Sequence, residues 1–219
     1  LLKGVTAHAP TIGKPWTKCT RVRALSFTGS TEIGRLLYRQ SADTVKKLVL
    51  ELGGHAPVLV FEDTNLKTAL GETLKAKFET SGQDCLGANR IFVQRSIYDS
   101  FCKDFVGATK MLTIGVGMDD CDIGPLMNEN AVQKQEAHVA DALAKGAKLA
   151  CGGKRHLLGP LFYEPTVLID VPADALILQE ETFGPVAAIA AFDTEDEVIA
   201  RANDTEYGLV AYLHSDDPR

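Results

Sequence analysis

Short apolar runs alternate along this chain with segments whose apolar residues recur every three or four positions. The clearest such segment is 97–112, where this spacing places the apolar side chains on one helical face. The predicted helices are 31–40, 65–78, 97–112, 129–145 and 195–203, and the predicted strands are 23–27, 47–52, 58–61, 91–94, 147–151, 166–170, 186–192 and 209–213. Strands that alternate with helices favour a parallel sheet with crossover helices, so we predict an α/β fold.

The composition indicates a globular chain and argues against two classes of partner. With 219 residues, of which 45% are hydrophobic, the chain can bury a substantial core. Its formal net charge of −6 has the wrong sign for a nucleic-acid ligand, because phosphate contacts require clustered lysine and arginine. No run of roughly 18 or more apolar residues occurs, so we expect no membrane partner.

The cysteines and histidines form no pattern that is typical of a metal site. The cysteines, at positions 19, 85, 102, 121 and 151, never form a C-x-x-C pair, and the histidines are scattered. We therefore predict no metal, no disulfide framework and a reducing, cytoplasmic location. Cys102, Cys121 and Cys151 are expected to be small buried hydrophobic residues, and Cys19 to have no special role.

Cys85 differs from the other cysteines in its local sequence. It follows a predicted helix that ends near Ser81 and Gly82, and it precedes a further turn candidate at Gly87. A thiol in a polar loop is accessible and can act as a nucleophile, although an idle cysteine remains the alternative.

Glu51 is the candidate base for such a thiol. It ends a strand-like run and is followed at once by Leu52, Gly53 and Gly54. A carboxylate that closes a buried strand is costly unless it is paired or used, and α/β ligand sites form at the carboxyl ends of parallel strands. The alternative is a solvated carboxylate at a strand end.

Two further segments suggest ligand contacts, each with an ordinary alternative. Segment 25–34 reads as strand, tight turn and helix start, where free backbone N–H groups at Gly29 and Ser30 could hold a pyrophosphate. An ordinary turn with a serine cap explains it equally well. Segment 180–185 places two acids and an aromatic residue before a strand, and by itself predicts only a turn with a solvated acid pair.

Taken in order, these segments resemble the aldehyde dehydrogenase superfamily. The motifs are Phe-Thr-Gly-Ser at 27–30, Glu-Leu-Gly-Gly at 51–54, Gly-Gln-x-Cys at 82–85 and Glu-Glu-x-Phe-Gly-Pro at 180–185. Segments 154–156 and 162–166 look most like the succinate-semialdehyde dehydrogenases. The resemblance implies a three-layer, Rossmann-like fold with mostly parallel sheets.

The resemblance also implies a reaction. Cys85 would attack an aldehyde, such as succinate semialdehyde or a related semialdehyde, and Glu51 would activate the water that hydrolyses the resulting thioester. The cofactor would be NAD or NADP. Its implied contacts are Gly29 and Ser30 at the pyrophosphate, Leu52 and Gly53 at the nicotinamide, Glu181 at the nicotinamide ribose and Phe183 beside the ring.

The same resemblance divides the chain and sets its limits. Residues 1–51 would be the C-terminal part of a dinucleotide-binding domain, and 52–219 a catalytic domain that is incomplete at its C-terminus. The chain lacks an initial methionine, so we expect a piece of a longer protein that forms a homo-oligomer, a dimer or tetramer. Part of the cofactor site and one oxyanion donor would lie elsewhere, so we expect the 219 residues alone to be inactive.

Several alternatives and departures stay open. A relative that transfers the acyl group to coenzyme A, a dehydrogenase of broader specificity and a non-catalytic fragment all fit parts of the pattern. Glu79 stands where many succinate-semialdehyde enzymes have a carboxylate-binding arginine, and Gly87 stands where they often have a second cysteine. We expect Asp84 and His55 to face outward and to be harmless.

Overall fold

A computed structural model of the chain describes residue 4 and residues 8–217. The chain forms two compact units, which meet in sequence between Gly53 and Gly54. We call them the N-terminal unit and the C-terminal unit. Among the described residues, no helix has the length and apolar character that are needed to cross a membrane.

The N-terminal unit contains a two-stranded parallel sheet and two helices. Its elements are α1 (Ala9–Lys18), β1 (Ala24–Thr28), α2 (Thr31–Ser41) and β2 (Lys47–Glu51). β1 and β2 pair along all five residues of each strand. Because the pairing is parallel, the turn after Thr28 and the side chain of Glu51 lie at the same edge of this sheet.

The C-terminal unit contains a six-stranded sheet in the order β5-β6-β7-β4-β3-β8. Its strands are β3 (Ala56–Val60), β4 (Ala88–Gln94), β5 (Lys148–Cys151), β6 (Thr166–Ile169), β7 (Val186–Phe192) and β8 (Tyr212–His214). Every neighbouring pair is parallel except β5 with β6, which is antiparallel.

Four helices cover this sheet, and three of them begin at side-chain caps. They are α3 (Leu66–Phe78), α4 (Tyr98–Thr109), α5 (Glu129–Ala144) and α6 (Glu195–Asn203). Asn65, Asn128 and Thr194 each accept a hydrogen bond from the backbone N–H three residues later, at the starts of α3, α5 and α6. Such caps satisfy donors that a helix leaves free in its first turn.

Strand β7 shows how the layers are built. Ala187 and Ile189 lie in an apolar cluster with residues of α3 and α4, whereas Val186 and Ala188 lie in a second cluster with residues of α5. Alternate side chains of a strand point to opposite faces, so the sheet is packed between two helical layers. The predicted α/β class with a mostly parallel sheet is confirmed.

Three elements differ from the sequence prediction. α1 was not predicted, since Pro10, Gly13 and Pro15 all disfavour helix interiors; Pro10, however, lies in the first turn, where its missing N–H costs nothing. β3 begins at Ala56, two residues early, because a register shift beside Pro57 lets the proline join the sheet. The final strand is only Tyr212–His214, the part that pairs with β3.

Candidate active site

Cys85 lies in a turn between α3 and β4, within residues 79–87, which we call the thiol loop. Thr80, Ser81 and Gly82 have φ values of 55°, 59° and 69°, so three successive residues adopt left-handed backbone. For Thr80 and Ser81 this conformation is strained, and it persists only where the surroundings enforce it. Such strain is common at functional sites.

Hydrogen bonds from the neighbouring segment 124–127 hold the thiol loop. The Ser81 hydroxyl accepts from the Gly124 N–H at 2.8 Å, and the Gln83 side-chain oxygen accepts from the Met127 N–H at 2.8 Å. On its other side, the Tyr212 hydroxyl donates to the Leu86 carbonyl at 2.8 Å. The loop is therefore fixed on both sides of Cys85.

Gly54, the last residue of the Glu-Leu-Gly-Gly motif and the first of the C-terminal unit, packs against this loop. Its α-carbon faces the Cys85 carbonyl so closely that a β-carbon at position 54 would collide with that oxygen. The Gly54 N–H donates to the Glu181 carboxylate at 2.9 Å. Three segments that are far apart in sequence thus converge around the thiol.

The electrostatic surroundings of Cys85 do not favour the thiolate. Partial burial raises the pKa of the Cys85 thiol, and the neighbouring Asp84 carboxylate and then Glu181 raise it further. Asp84 also accepts a hydrogen bond from the Leu86 N–H at 2.9 Å, which holds its carboxylate in the turn. Asp84 is half-buried and disfavours the thiolate of Cys85, contrary to the expectation that it is harmless.

His55 also contradicts the expectation of an outward-facing side chain. Only 2% of its surface is exposed, and its Nε2 atom lies 3.2 Å from the Ile177 carbonyl. Burial, with a further contribution from the Arg90 charge, lowers the pKa of His55 to about 4. His55 is thus a neutral core residue directly after Gly54. Its burial beside the Ile177 carbonyl depends on tertiary contacts, which the local sequence does not reveal.

Segment 180–185 carries Glu181 and Phe183, the two residues for which the family resemblance predicts contacts with the cofactor's nicotinamide half. Glu181 and Phe183 are half-buried, and burial raises the pKa of Glu181. Phe183 has a φ of 50°, which is unusual for a residue with a β-carbon. The Glu181 carboxylate already touches the site through Gly54, so this segment is more than the solvated turn that its sequence alone suggests.

The N-terminal unit carries the remaining predicted residues. Gly29 and Ser30 are exposed in the turn between β1 and α2, and the Ser30 hydroxyl caps α2 by accepting from the Ile33 N–H at 3.4 Å. The Gly29 N–H donates to the Glu51 carbonyl at 3.0 Å, so the phosphate-type turn and the candidate base share one sheet edge. The Glu51 residue is exposed.

A cavity of about 600 Å³ lies beside this turn within the N-terminal unit. It is mostly apolar, and its lining includes Trp16 of α1, Phe27 of β1 and Leu36 of α2. A flat aromatic group fits such a lining, and the adjacent helix N-terminus favours an anion. Sequence reasoning missed this cavity because it did not predict α1, although the chain's single tryptophan was an available signal.

The other cysteines differ in acidity. Backbone N–H groups of Arg21 and Val22 lower the pKa of the Cys19 thiol, whereas burial raises the pKa of Cys102 to about 11. In the described part of the chain, no three histidine, cysteine, aspartate or glutamate side chains are grouped in a way that could hold a metal ion.

A model described as the aldehyde dehydrogenase family matches residues 1–219. The chain belongs to the aldehyde dehydrogenase family. It is 51% identical over 214 residues to the NADP-dependent succinate-semialdehyde dehydrogenase GabD of Escherichia coli K12, covering 97% of this chain and 44% of that protein. It is 48% identical to the glutarate-semialdehyde dehydrogenase of Pseudomonas aeruginosa, again covering 97% of this chain and 44% of the relative.

Solved structures of aldehyde dehydrogenases share the fold as well as the sequence. The structure of succinate-semialdehyde dehydrogenase from Burkholderia pseudomallei matches with a TM-score of 0.96 at 50% identity, covering 98% of this chain and 45% of that one. An NADP-dependent enzyme of E. coli also matches with a TM-score of 0.96, at 51% identity. The chain therefore spans less than half the length of these relatives.

Proposed function

We propose that the full-length protein carrying this chain oxidises an aldehyde to a carboxylic acid with NAD or NADP, through a thioester on Cys85. The observation that carries this proposal is the convergence of Gly54 and Glu181 on the Cys85 turn. Glu51 precedes Gly54 by three positions in the Glu-Leu-Gly-Gly motif, and by the family resemblance it is the base of the reaction.

The residues of the N-terminal unit fit a dinucleotide. The exposed Gly29–Ser30 turn offers a helix N-terminus for the pyrophosphate, and the apolar cavity lined by Trp16 offers a surface for an aromatic base. In the C-terminal unit, Glu181 would bind a ribose hydroxyl and Phe183 would pack beside the nicotinamide. Leu52 and Gly53 would line the same ring. When bound, the cofactor would supply the hydride acceptor for the reaction.

The chain's own groups then account for the covalent steps. Cys85 loses its proton, and its sulfur forms a bond to the aldehyde carbon. After the hydride has left, the acyl group is held as a thioester on Cys85. Glu51 takes a proton from water, the resulting hydroxide attacks the thioester, and the carbon–sulfur bond breaks. Aldehyde, water and oxidised cofactor thus give acid, reduced cofactor and a proton.

A semialdehyde of a dicarboxylic acid is the substrate class that we propose. Support comes from the relatives, whose names specify succinate, glutarate and aspartate semialdehydes. Glu79 argues in the other direction. It is exposed in the thiol loop, and its carboxylate would repel the distal carboxylate of such a substrate at close range, which favours a broader specificity. Assays of aldehydes with and without a distal carboxylate, each with NAD and with NADP, test this choice against a dehydrogenase of broader specificity.

The assigned role of Glu51 favours water over coenzyme A as the acyl acceptor. We expect Glu51→Gln in the full-length protein to keep a stoichiometric burst of reduced cofactor while losing at least about 100-fold in turnover, since only deacylation needs the base. Glu195→Gln, an exposed carboxylate in the first turn of α6, is the matched control. An equal loss of burst and turnover would contradict the role.

Three predictions about the whole protein stay proposals. The N-terminal unit would bind the cofactor and the C-terminal unit would carry the thiol. We also infer a cytoplasmic homo-oligomer that acts on a small aldehyde. The 219 residues alone would be inactive, and production of reduced cofactor by this chain alone would disprove that expectation.

A further inference from the structure

Gln135 is a wholly buried amide on α5 whose hydrogen bonds reach segment 180–185. None of its surface is exposed, and its Nε2 atom donates to the Thr182 carbonyl at 3.0 Å and to the Ala131 carbonyl at 3.2 Å. Burying an amide is costly unless its groups are used, and its Oε1 atom has no hydrogen-bond partner among the described residues. An apolar side chain of similar size would be the cheaper way to fill this space.

The same amide touches both neighbours of Phe183. On one side it bonds the Thr182 carbonyl, and on the other it faces Gly184 so closely that any β-carbon at position 184 would overlap it. Phe183 lies between these two contacts with its φ of 50°. A left-handed phenylalanine is unfavourable in isolation, so it persists only because its flanks are held.

The segment that Gln135 holds is also in contact with the thiol loop. The Gly184 carbonyl packs against the α-carbon of Gly82, and the Glu181 carboxylate accepts from the Gly54 N–H. One turn further along α5, the Nε2 atom of His138 lies 3.4 Å from the Glu180 carboxylate. Helix α5 thus contacts residues 180, 182 and 184, which flank Glu181 and Phe183.

We propose that Gln135 is a positioning residue, whose amide holds Phe183 and Glu181 in register with the Cys85 loop. The proposal rests on the proposed function, in which Glu181 and Phe183 contact the nicotinamide half of the cofactor. Because none of its surface is exposed, Gln135 would act through this segment and not by direct contact with the cofactor or the substrate. Its loss would loosen segment 180–185 and weaken cofactor binding, while the rest of the thiol loop keeps its own hydrogen bonds to segment 124–127.

The test compares Gln135→Leu with Gln133→Leu in the full-length protein. Gln133 lies on the same helix but is exposed, and its Nε2 atom donates to Glu129 within that helix. For Gln135→Leu we expect the cofactor dissociation constant to rise about tenfold, the size of effect expected when a buried carbonyl loses its donor. The KM for the aldehyde should stay within about twofold, and the Gln133→Leu variant should match the wild type.

Amide hydrogen exchange gives a readout that does not depend on activity. Peptides covering residues 180–186 should exchange faster in Gln135→Leu than in Gln133→Leu, whereas peptides from β4 should be unchanged. Gln135→Met serves as a second variant if the leucine variant does not fold. Unchanged exchange together with an unchanged cofactor dissociation constant would overturn the proposal, as would a uniform loss of kcat with the dissociation constant intact.

The two proposals fail in distinguishable ways. A wild-type protein that oxidises no aldehyde with either cofactor would refute the proposed function, while the exchange comparison would still decide whether Gln135 holds segment 180–185. An active wild type whose Gln135→Leu variant behaves like the control would refute only the positioning role.

Discussion

Gly54→Ala is the sharpest test of the site because it adds one methyl group at the contact between two motifs. A β-carbon at position 54 would lie closer than 3.0 Å to the Cys85 carbonyl oxygen, a separation that real β-carbons essentially never show. Both partners are backbone, so neither can turn aside as a flexible side chain could, and Gly54 and the thiol loop must separate. A displacement of about 1 Å at a reacting group costs about 100-fold in rate, or about 2.7 kcal/mol of transition-state stabilisation.

The measurement is the burst rate of reduced-cofactor formation in the full-length protein, which reports acylation of Cys85 before turnover. The matched control is Gly71→Ala, since the same methyl group at this exposed position of α3 would meet no atom within 4 Å. A helical glycine-to-alanine change should leave the burst rate unchanged and stabilise the fold by about 1 kcal/mol. A folded Gly54→Ala variant whose burst rate stayed within about threefold of wild type would refute the reasoning.

Two further predictions concern titrating groups. Backbone N–H groups lower the pKa of the Cys19 thiol, while burial and Asp84 raise the pKa of the Cys85 thiol. Iodoacetamide near neutral pH should therefore label Cys19 before Cys85 in this chain. Asp84→Asn should speed the labelling of Cys85 and leave that of Cys19 unchanged, as measured by peptide mass spectrometry. Burial lowers the pKa of His55 in the folded state to about 4, below its ordinary value of 6.5, so the unfolded state binds the proton first as pH falls. The folded state should therefore lose stability between pH 6.5 and about 4. Thermal melts should show a smaller loss over this range for His55→Gln than for the wild type.

Elements with strong local signals were predictable from the sequence, and those that depend on tertiary context were not. α3 begins at Leu66 and α6 at Glu195, within one residue of the predicted starts at 65 and 195, and Asn65 and Thr194 cap them. Helix α1 contradicts its own propensities at Gly13 and Pro15, so only its packing in the N-terminal unit explains it. Propensity is a weak prior in such cases, and tertiary contacts override it.

The residues of the candidate site also divide into those that the local sequence predicts and those that depend on tertiary contacts. Cys85 and Glu51 could be proposed from residue chemistry, loop context and motif order, because those features are local. Asp84 is a chain neighbour of Cys85, and its effect on the pKa of the thiol depends on how the turn orients its carboxylate. The burial of His55 and the contact of Gln135 with segment 180–185 depend on which side chains meet across the fold. No pattern in the sequence predicts the last of these, since Gln135 lies on an ordinary amphipathic helix that carries no motif.

The contacts among the motifs explain why they occur together. Gly54 of one motif packs on the carbonyl of Cys85 in the second, Gly82 of the second packs on the carbonyl of Gly184 in the third, and Glu181 of the third binds the Gly54 N–H. The three segments therefore contact one another in a closed cycle, through two backbone contacts and the Glu181 carboxylate, and a β-carbon at Gly54 or Gly82 would collide with the carbonyl that it faces. Substitutions in different motifs should consequently be non-additive, because each one displaces the same thiol loop.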